Sequence, residues 1–333
     1  MYIIKSESRD AYFNLAMEEY LLKNSDEEFF LTAINGPSVL LGVNQNAYDE
    51  INALYVKQNG LKVVRRITGG GTVFQDEGIL NFSFIYKNDG SDLLDFSYVA
   101  SFIADFLKEK LGIDAKCEGR NDICINGKKF SGQARYFHED RILHHGTILI
   151  STNKKSLVNA LKFSDEKNYL RSIIPTNEVI TNINEVLTNK IKTEDFWALL
   201  INYFQSKFPN NKFYQLSSNE IEKIKELVKT KYSTFEWNYG TRPDFNYYSA
   251  LECFSGSIEM FIKLSPDSII EDIRFFGDFF SMKDVKEIEN ALKNIKLSKK
   301  EIMKVLDNFD FDKYFYAIEK ENFVNCIINL KSN

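Results

Sequence analysis

Arg65, Arg66, Ile67, Thr68, Gly69, Gly70, Gly71, Thr72, Val73 and Phe74 run consecutively, placing two guanidinium groups ahead of three glycines. Glycines let backbone N–H groups come close to an anion, and arginine supplies the opposite charge. One of the arginines could grip phosphate or carboxylate oxygens as a fork. The stretch lacks the GxxxxGK[ST] spacing of a P-loop, and Phe74 stands where a dinucleotide fingerprint needs its third glycine. A turn beside two solvated arginines is the competing reading.

A second stretch runs Gly119, Arg120, Asn121, Asp122, Ile123, Cys124, Ile125, Asn126, Gly127, Lys128, Lys129, Phe130, Ser131, Gly132. Asn–Gly between strand-like runs predicts a two-residue hairpin. The register then pairs Ile125 with Lys128, Cys124 with Lys129, Ile123 with Phe130 and Asp122 with Ser131. Asp122, Cys124, Lys129 and Ser131 should share one face, and Ile123, Ile125 and Phe130 the core face with Lys128. Lysine is a point charge suited to oxyanions and phosphates, and a carboxylate beside phosphates could hold Mg²⁺. An exposed cross-strand ion pair is the alternative.

The third stretch is Ile142, Leu143, His144, His145, Gly146, Thr147. Strand alternation sends the two histidines to opposite faces, which makes them poor candidates to chelate one metal together. His138 is the one other histidine, which argues against a three-histidine zinc site. One of the pair should face the site and the other bond within the fold. Gly146 implies a close backbone approach.

These stretches need a frame. Val63–Val64 leads into the glycine run like a strand, and residues 80–86 alternate like a half-buried strand. The glycine loop should therefore sit between strands on a rigid sheet. Asp10 could cap a helix over residues 10–22, with Phe13, Met17 and Tyr20 on one side. Val99, Phe102, Ile103 and Phe106 follow helical spacing, and Gly112 supplies a stop. Residues 185–230 read as helical and charged, and 239–245 as irregular. Strand-like runs at 258–262 and 269–275 precede helical ones at 282–292 and 299–305. The fold class is mixed α+β, with a catalytic body over 1–246 and a small α+β domain over 247–333.

The chain has 333 residues, 44% hydrophobic and 27% charged, enough for a substantial core and two domains. Its 42 basic and 47 acidic side chains leave a net charge of −5, which argues against general affinity for nucleic acid. Four cysteines, Cys117, Cys124, Cys253 and Cys326, form no CxxC pair and read as reduced thiols. The first residues form no apolar leader, and no run reaches the about 18 apolar residues of a membrane span. A cytoplasmic protein is expected.

Taken together, the stretches resemble the lipoate–protein ligase A family in its long form. The likeness adds Asn14, Leu15, Ala16, Met17, Glu18, Glu19, then Gly42, Val43, Asn44, Gln45, Asn46, and Asn81–Phe82. Residues 239–245 and the domain after them resemble the family's C-terminal accessory domain. The resemblance implies a fold shared with biotin–protein ligases and related to class II aminoacyl-tRNA synthetases. It implies that lipoate and ATP form lipoyl-AMP and pyrophosphate, and that an acceptor lysine then takes the lipoyl group. Acceptors would be lipoyl domains of 2-oxoacid dehydrogenase E2 subunits or the glycine cleavage H protein, and the enzyme a monomer.

By position, Lys129 is implied to contact the lipoyl carbonyl and the phosphate. Arg66, Gly71, Thr72, Val73 and Phe74 would contact ATP or the adenylate. Gly70, Asn81, Asn121, Ser131, Gly132, Ala134 and His145 are implied beside them, and Asp122 near Mg²⁺. The reaction needs no protein nucleophile, which agrees with the lack of a Cys–His or Ser–His pair. Phe82 and Phe84 are available to line an apolar tunnel, plain core being the alternative. The chain departs from the family pattern at Gln75, where many members have histidine, and at Val43, where a basic residue is common. Residues 172–183 lack the expected Arg/Lys-rich run. Three alternatives stay open: a lipoyltransferase that takes preformed lipoyl-AMP, a non-catalytic lipoyl-protein binding module, and biotin as the acid.

Overall fold

The computed structural model describes residues 1–88, 90, 92–162, 179–240 and 244–332. Among these, fifteen strands form three sheets. The first strands are β1 (Tyr2–Ser6), β2 (Phe29–Ala33), β3 (Ser38–Leu41), β4 (Lys62–Arg65), β5 (Val73–Gln75) and β6 (Ile79–Lys87). Then come β7 (Lys116–Glu118), β8 (Asp122–Ile125), β9 (Lys128–His138), β10 (Arg141–Leu149) and β11 (Lys212–Phe213). The last are β12 (Tyr247–Cys253), β13 (Gly256–Leu264), β14 (Ile270–Gly277) and β15 (Lys331–Ser332). The large sheet has the order β11-β1-β2-β6-β10-β9-β8-β7. A three-stranded sheet, β4-β3-β5, carries the glycine loop between β4 and β5.

Helices cover both faces of the large sheet. Asp10 caps helix Ala11–Asn24 by accepting from the Tyr12 amide, as its position predicts. That helix packs Leu15, Met17, Leu21 and Leu22 against Phe29, Leu31 and Ile85. On the opposite face, helices Ser97–Leu111 and Thr193–Lys207 bury Phe106, Phe196 and Phe204 with Phe30, Phe82 and Phe84. Each such ring contributes about 1.5–3 kcal/mol by leaving water. Gly112 ends the first of these helices in the left-handed conformation, as expected of a C-terminal glycine. The reading of β6 as half-buried is corrected: helices on both sides bury Phe84 and Ile85 alike. Phe84, held among Phe30, Phe102 and Phe204, is core rather than tunnel lining.

Strands β14-β13-β12-β15 form a separate sheet. Helices Lys286–Ala291, Lys299–Leu306 and Lys320–Ile328 cover it, around Ile258, Met260, Phe275, Phe315 and Phe323. The first helix starts at Lys286 rather than 282, because residues 278–284 form the connection that docks on the catalytic body. Among the described residues no helix is long and apolar enough to cross a membrane.

Candidate active site

The two arginines are buried, not solvated. Arg65 Nη1 donates to the carbonyls of Gly42, Val43 and Gln45, and Nε and Nη2 to those of Trp237 and Asn238. Arg66 Nη2 donates to the carbonyls of Gly69 and Gly71 at 2.7 and 2.8 Å, Nη1 to Leu40 and Nε to Thr68 Oγ1. Burial pushes both guanidinium groups down to about 10, Arg66 being lowered further by its neighbour Arg65. Arg66 thus holds the loop through the carbonyls of Gly69 and Gly71. Gly70 takes φ +87°, a left-handed conformation that glycine adopts freely. With the carbonyls turned onto Arg66, the N–H groups of Gly69, Gly70 and Gly71 donate to no acceptor among the described residues. Thr72 Oγ1 donates to Gln45 Oε1 at 2.7 Å.

Asn126 and Gly127 both have positive φ, 51° and 73°, as a two-residue hairpin of this kind requires. Ile125 pairs with Lys128 and Cys124 with Lys129, as expected. Beyond them the register is corrected: Ile123 pairs with Ser131 and Asp122 with Gly132. Phe130 is the extra residue of a bulge, and it enters the core with Ile123 and Ile125. Ser131 follows it onto the core face, fully buried, and does not line the site. Gly132 takes its place opposite Asp122.

Lys129 Nζ lies 2.6 Å from Asp122 Oδ1, an ion contact without the alignment of a hydrogen bond. The Lys129 backbone is clamped from the other side. Its N–H donates to the Val179 carbonyl at 2.8 Å, and its carbonyl accepts from Thr181 N–H at 2.9 Å. Of residues 172–183, those up to 178 lie outside the described residues.

On β10 the histidines diverge as expected. His144 faces away, its Nε2 2.8 Å from Gln133 Oε1. Burial, then Arg135 and His145, hold its imidazole well below the ordinary range. His145 faces the site, 2.8 Å from Thr68 Oγ1 and 2.9 Å from Glu18 Oε2. A methyl group at Gly146 would sit 2.5 Å from the Phe82 ring, so β6 and β10 approach there as only glycine allows.

One chamber of about 700 Å³ collects these groups. Arg66, Gly70, Gly71, Thr72, Val73 and Phe74 line one wall, and Asn121, Asp122, Lys129, Gly132 and Ala134 another. Asn81 and His145 complete the set. Asn121 and Asn81 are already engaged, bonding Gln133 O and Gln75 Oε1 respectively. Leu15, Met17, Leu31 and Phe82 supply apolar lining.

Other lining residues carried no separate assignment in the sequence. Glu18 belongs to the stretch from Asn14 to Glu19 and Gln45 to the stretch from Gly42 to Asn46. Glu252, Cys253, Phe254, Ser257 and Asp278 come from the C-terminal sheet. Nothing local in the sequence marks them, since tertiary docking brings them there. Arg120 Nη2 bonds Asp278 Oδ2 at 3.0 Å across this junction, and Asn44 Nδ2 reaches Phe279 O and Ser281 Oγ. Cys124 lines the chamber, but burial, then Glu118 and Asp122, push its thiol up to about 11. Among the described residues no group of three or more His, Cys, Asp or Glu could hold a metal ion.

Residues 10–205 match the family described as lipoyl protein ligase A/B catalytic domain, and residues 242–327 match bacterial lipoate protein ligase C-terminus. The chain belongs to the lipoate–protein ligase family. It is therefore an enzyme. It is 37% identical to lipoate-protein ligase LplJ of Bacillus subtilis, over 98% of this chain and 99% of that one. It is 34% identical to lipoate–protein ligase 1 of Staphylococcus aureus, over 98% and 99%. Among solved structures, P. falciparum LipL1 in complex with lipoate superposes with a TM-score of 0.78 at 28% identity, over 98% of both chains. A bipartite lipoate protein ligase of Thermoplasma acidophilum, solved in an analysis of an archaeal lipoylation system with its E2 lipoyl domain, gives 0.63 at 29%, over 73% and 98%. Lipoate-protein ligase A bound with ATP gives 0.59 at 26%, over 72% and 98%.

Proposed function

We propose that this ligase activates lipoate with ATP and transfers the lipoyl group to a lysine of an acceptor protein. One observation carries the reading. The free N–H groups of Gly70 and Gly71 and the Lys129 ammonium belong to opposite walls of one chamber that also has apolar lining. Such a chamber suits an acyl-adenylate, with phosphate between amides and ammonium and the hydrocarbon chain along Leu15, Met17 and Leu31. The relatives with lipoate and with ATP support both substrates.

Adenylation joins a carboxylate to the α-phosphate, so two anions must meet. The glycine amides and Lys129 offset that repulsion and orient the attack. Lys129 then stabilises charge on the carbonyl oxygen while the acceptor amine attacks and AMP leaves. Cys124, with its raised thiol, takes no part. The Asp122 carboxylate stands beside Lys129, and that donor fits Mg²⁺, which takes one or two protein carboxylates beside phosphates. When bound, the ion neutralises phosphate charge.

The acceptor is a lipoyl domain of a dehydrogenase E2 subunit or the glycine cleavage H protein, and the enzyme is a cytoplasmic monomer. Residues 1–246 are the catalytic domain and 247–333 the accessory domain. Lipoate-dependent ATP–pyrophosphate exchange tests activation. Absence of exchange with intact transfer from supplied lipoyl-AMP would make the protein a lipoyltransferase instead.

A further inference from the structure

A line of buried polar groups runs from the first helix to the glycine loop, and the reaction as derived does not use it. Ser83 Oγ donates to Glu18 Oε1. Glu18 Oε2 lies 2.9 Å from His145 Nδ1, His145 Nε2 lies 2.8 Å from Thr68 Oγ1, and Arg66 Nε donates to Thr68 Oγ1 at 2.9 Å. Glu18, His145, Thr68 and Arg66 are each at most 8% exposed. Arg66 in turn holds the carbonyls of Gly69 and Gly71.

The hydrogens can be placed. A carboxylate only accepts, so with Glu18 as the acceptor His145 Nδ1 carries the proton. Nε2 of the neutral ring is then an acceptor, which the Thr68 hydroxyl satisfies. The Thr68 oxygen keeps a lone pair for Arg66 Nε–H. Every hydrogen in the line has an acceptor in this one arrangement. A buried donor left unmatched would cost more than the bond it loses.

We infer that Glu18, His145 and Thr68 are positioning residues that hold Arg66, and through it hold the glycine loop with its amides free for phosphate. The inference rests on the reading of this loop as the phosphate-binding wall. Thr68 is the decisive member, because it is fully buried and does not line the chamber. Any effect of the Thr68 hydroxyl on ATP must pass through the two groups it bonds, Arg66 with its loop and His145.

The test compares Thr68→Val, which keeps shape and removes both hydrogen-bonding roles, with Thr68→Ser, which keeps them. Thr68→Val should raise KM for ATP in pyrophosphate exchange about tenfold and leave KM for lipoate within about twofold, and Thr68→Ser should restore the native value. Placed on Arg66→Lys, Thr68→Val should add little, because the two act as a unit. An unchanged KM for ATP, an equal rise for both substrates, or full additivity would overturn the inference. A second measurement needs no variant. Nitrogen NMR of the wild-type protein, which has three histidines, should show His145 as the Nδ1–H tautomer, and an Nε2–H tautomer would overturn the relay. Wild-type protein without any exchange would count against the proposed function, and the tautomer would still decide the relay.

Discussion

Gly132→Ala probes how closely the Lys129 ammonium must be placed. A methyl group there would sit 3.0 Å from both Cε and Nζ of Lys129. Ordinary contact begins near ~3.5 Å, so the ammonium must retreat by roughly 0.5 Å. That retreat also disturbs its 2.6 Å contact with Asp122. A 1 Å misplacement costs about a hundredfold in rate, so half of it should cost about tenfold, or ~1.4 kcal/mol of barrier. Stability should be unmoved or gain up to about 1 kcal/mol, because Gly132 is not among the residues with positive φ and alanine orders the unfolded chain. The assay is steady-state pyrophosphate release beside a thermal melt. Native turnover, or a fall in Tm of more than about 5 °C, would refute the argument that Gly132 exists to seat Lys129.

Three further outcomes follow from the geometry. Gly69→Ala puts a methyl group 2.5 Å from the Phe279 carbonyl, so hydrogen exchange across residues 277–281 should speed up about tenfold, and unchanged exchange would contradict the docking described. Cys124→Ser should keep lipoylation within about threefold, since a thiol pushed up to about 11 offers almost no thiolate; loss of activity would point to a covalent route. Burial, then Arg135 and His145, depress the His144 imidazole, so the unfolded chain binds this proton more readily. Its contribution to stability is present above about pH 6.5 and falls by up to ~1.4 kcal/mol per pH unit below it. His144→Gln should flatten the urea midpoint between pH 6.5 and 5, and an identical slope would remove His144 as the cause.

Local chemistry made much of this site legible. Asn126–Gly127 announces its hairpin because few dipeptides take two positive φ angles, and the histidine faces follow from strand alternation alone. The bulge at Phe130 was not legible. It depends on a large ring finding the core beside Ile123 and Ile125, and it carries Ser131 inward with it. The fate of Arg65 and Arg66 was hidden for a related reason. Arg65 bonds carbonyls of distant segments and Arg66 mostly bonds its own loop, and a sequence does not show which backbone groups lack partners. The residues that Glu252 to Asp278 lend to the chamber depend on docking between two cores, which no periodicity encodes.

The central claim is that Lys129 and the glycine loop form and discharge a lipoyl adenylate. Mass spectrometry of a lipoyl domain incubated with this protein, ATP, Mg²⁺ and lipoate tests it directly. One lipoyl group should be added by the wild-type enzyme and none by Lys129→Ala, which should remain folded because the side chain is partly exposed. Near-native lipoylation by Lys129→Ala, or no added mass with the wild type, would contradict it.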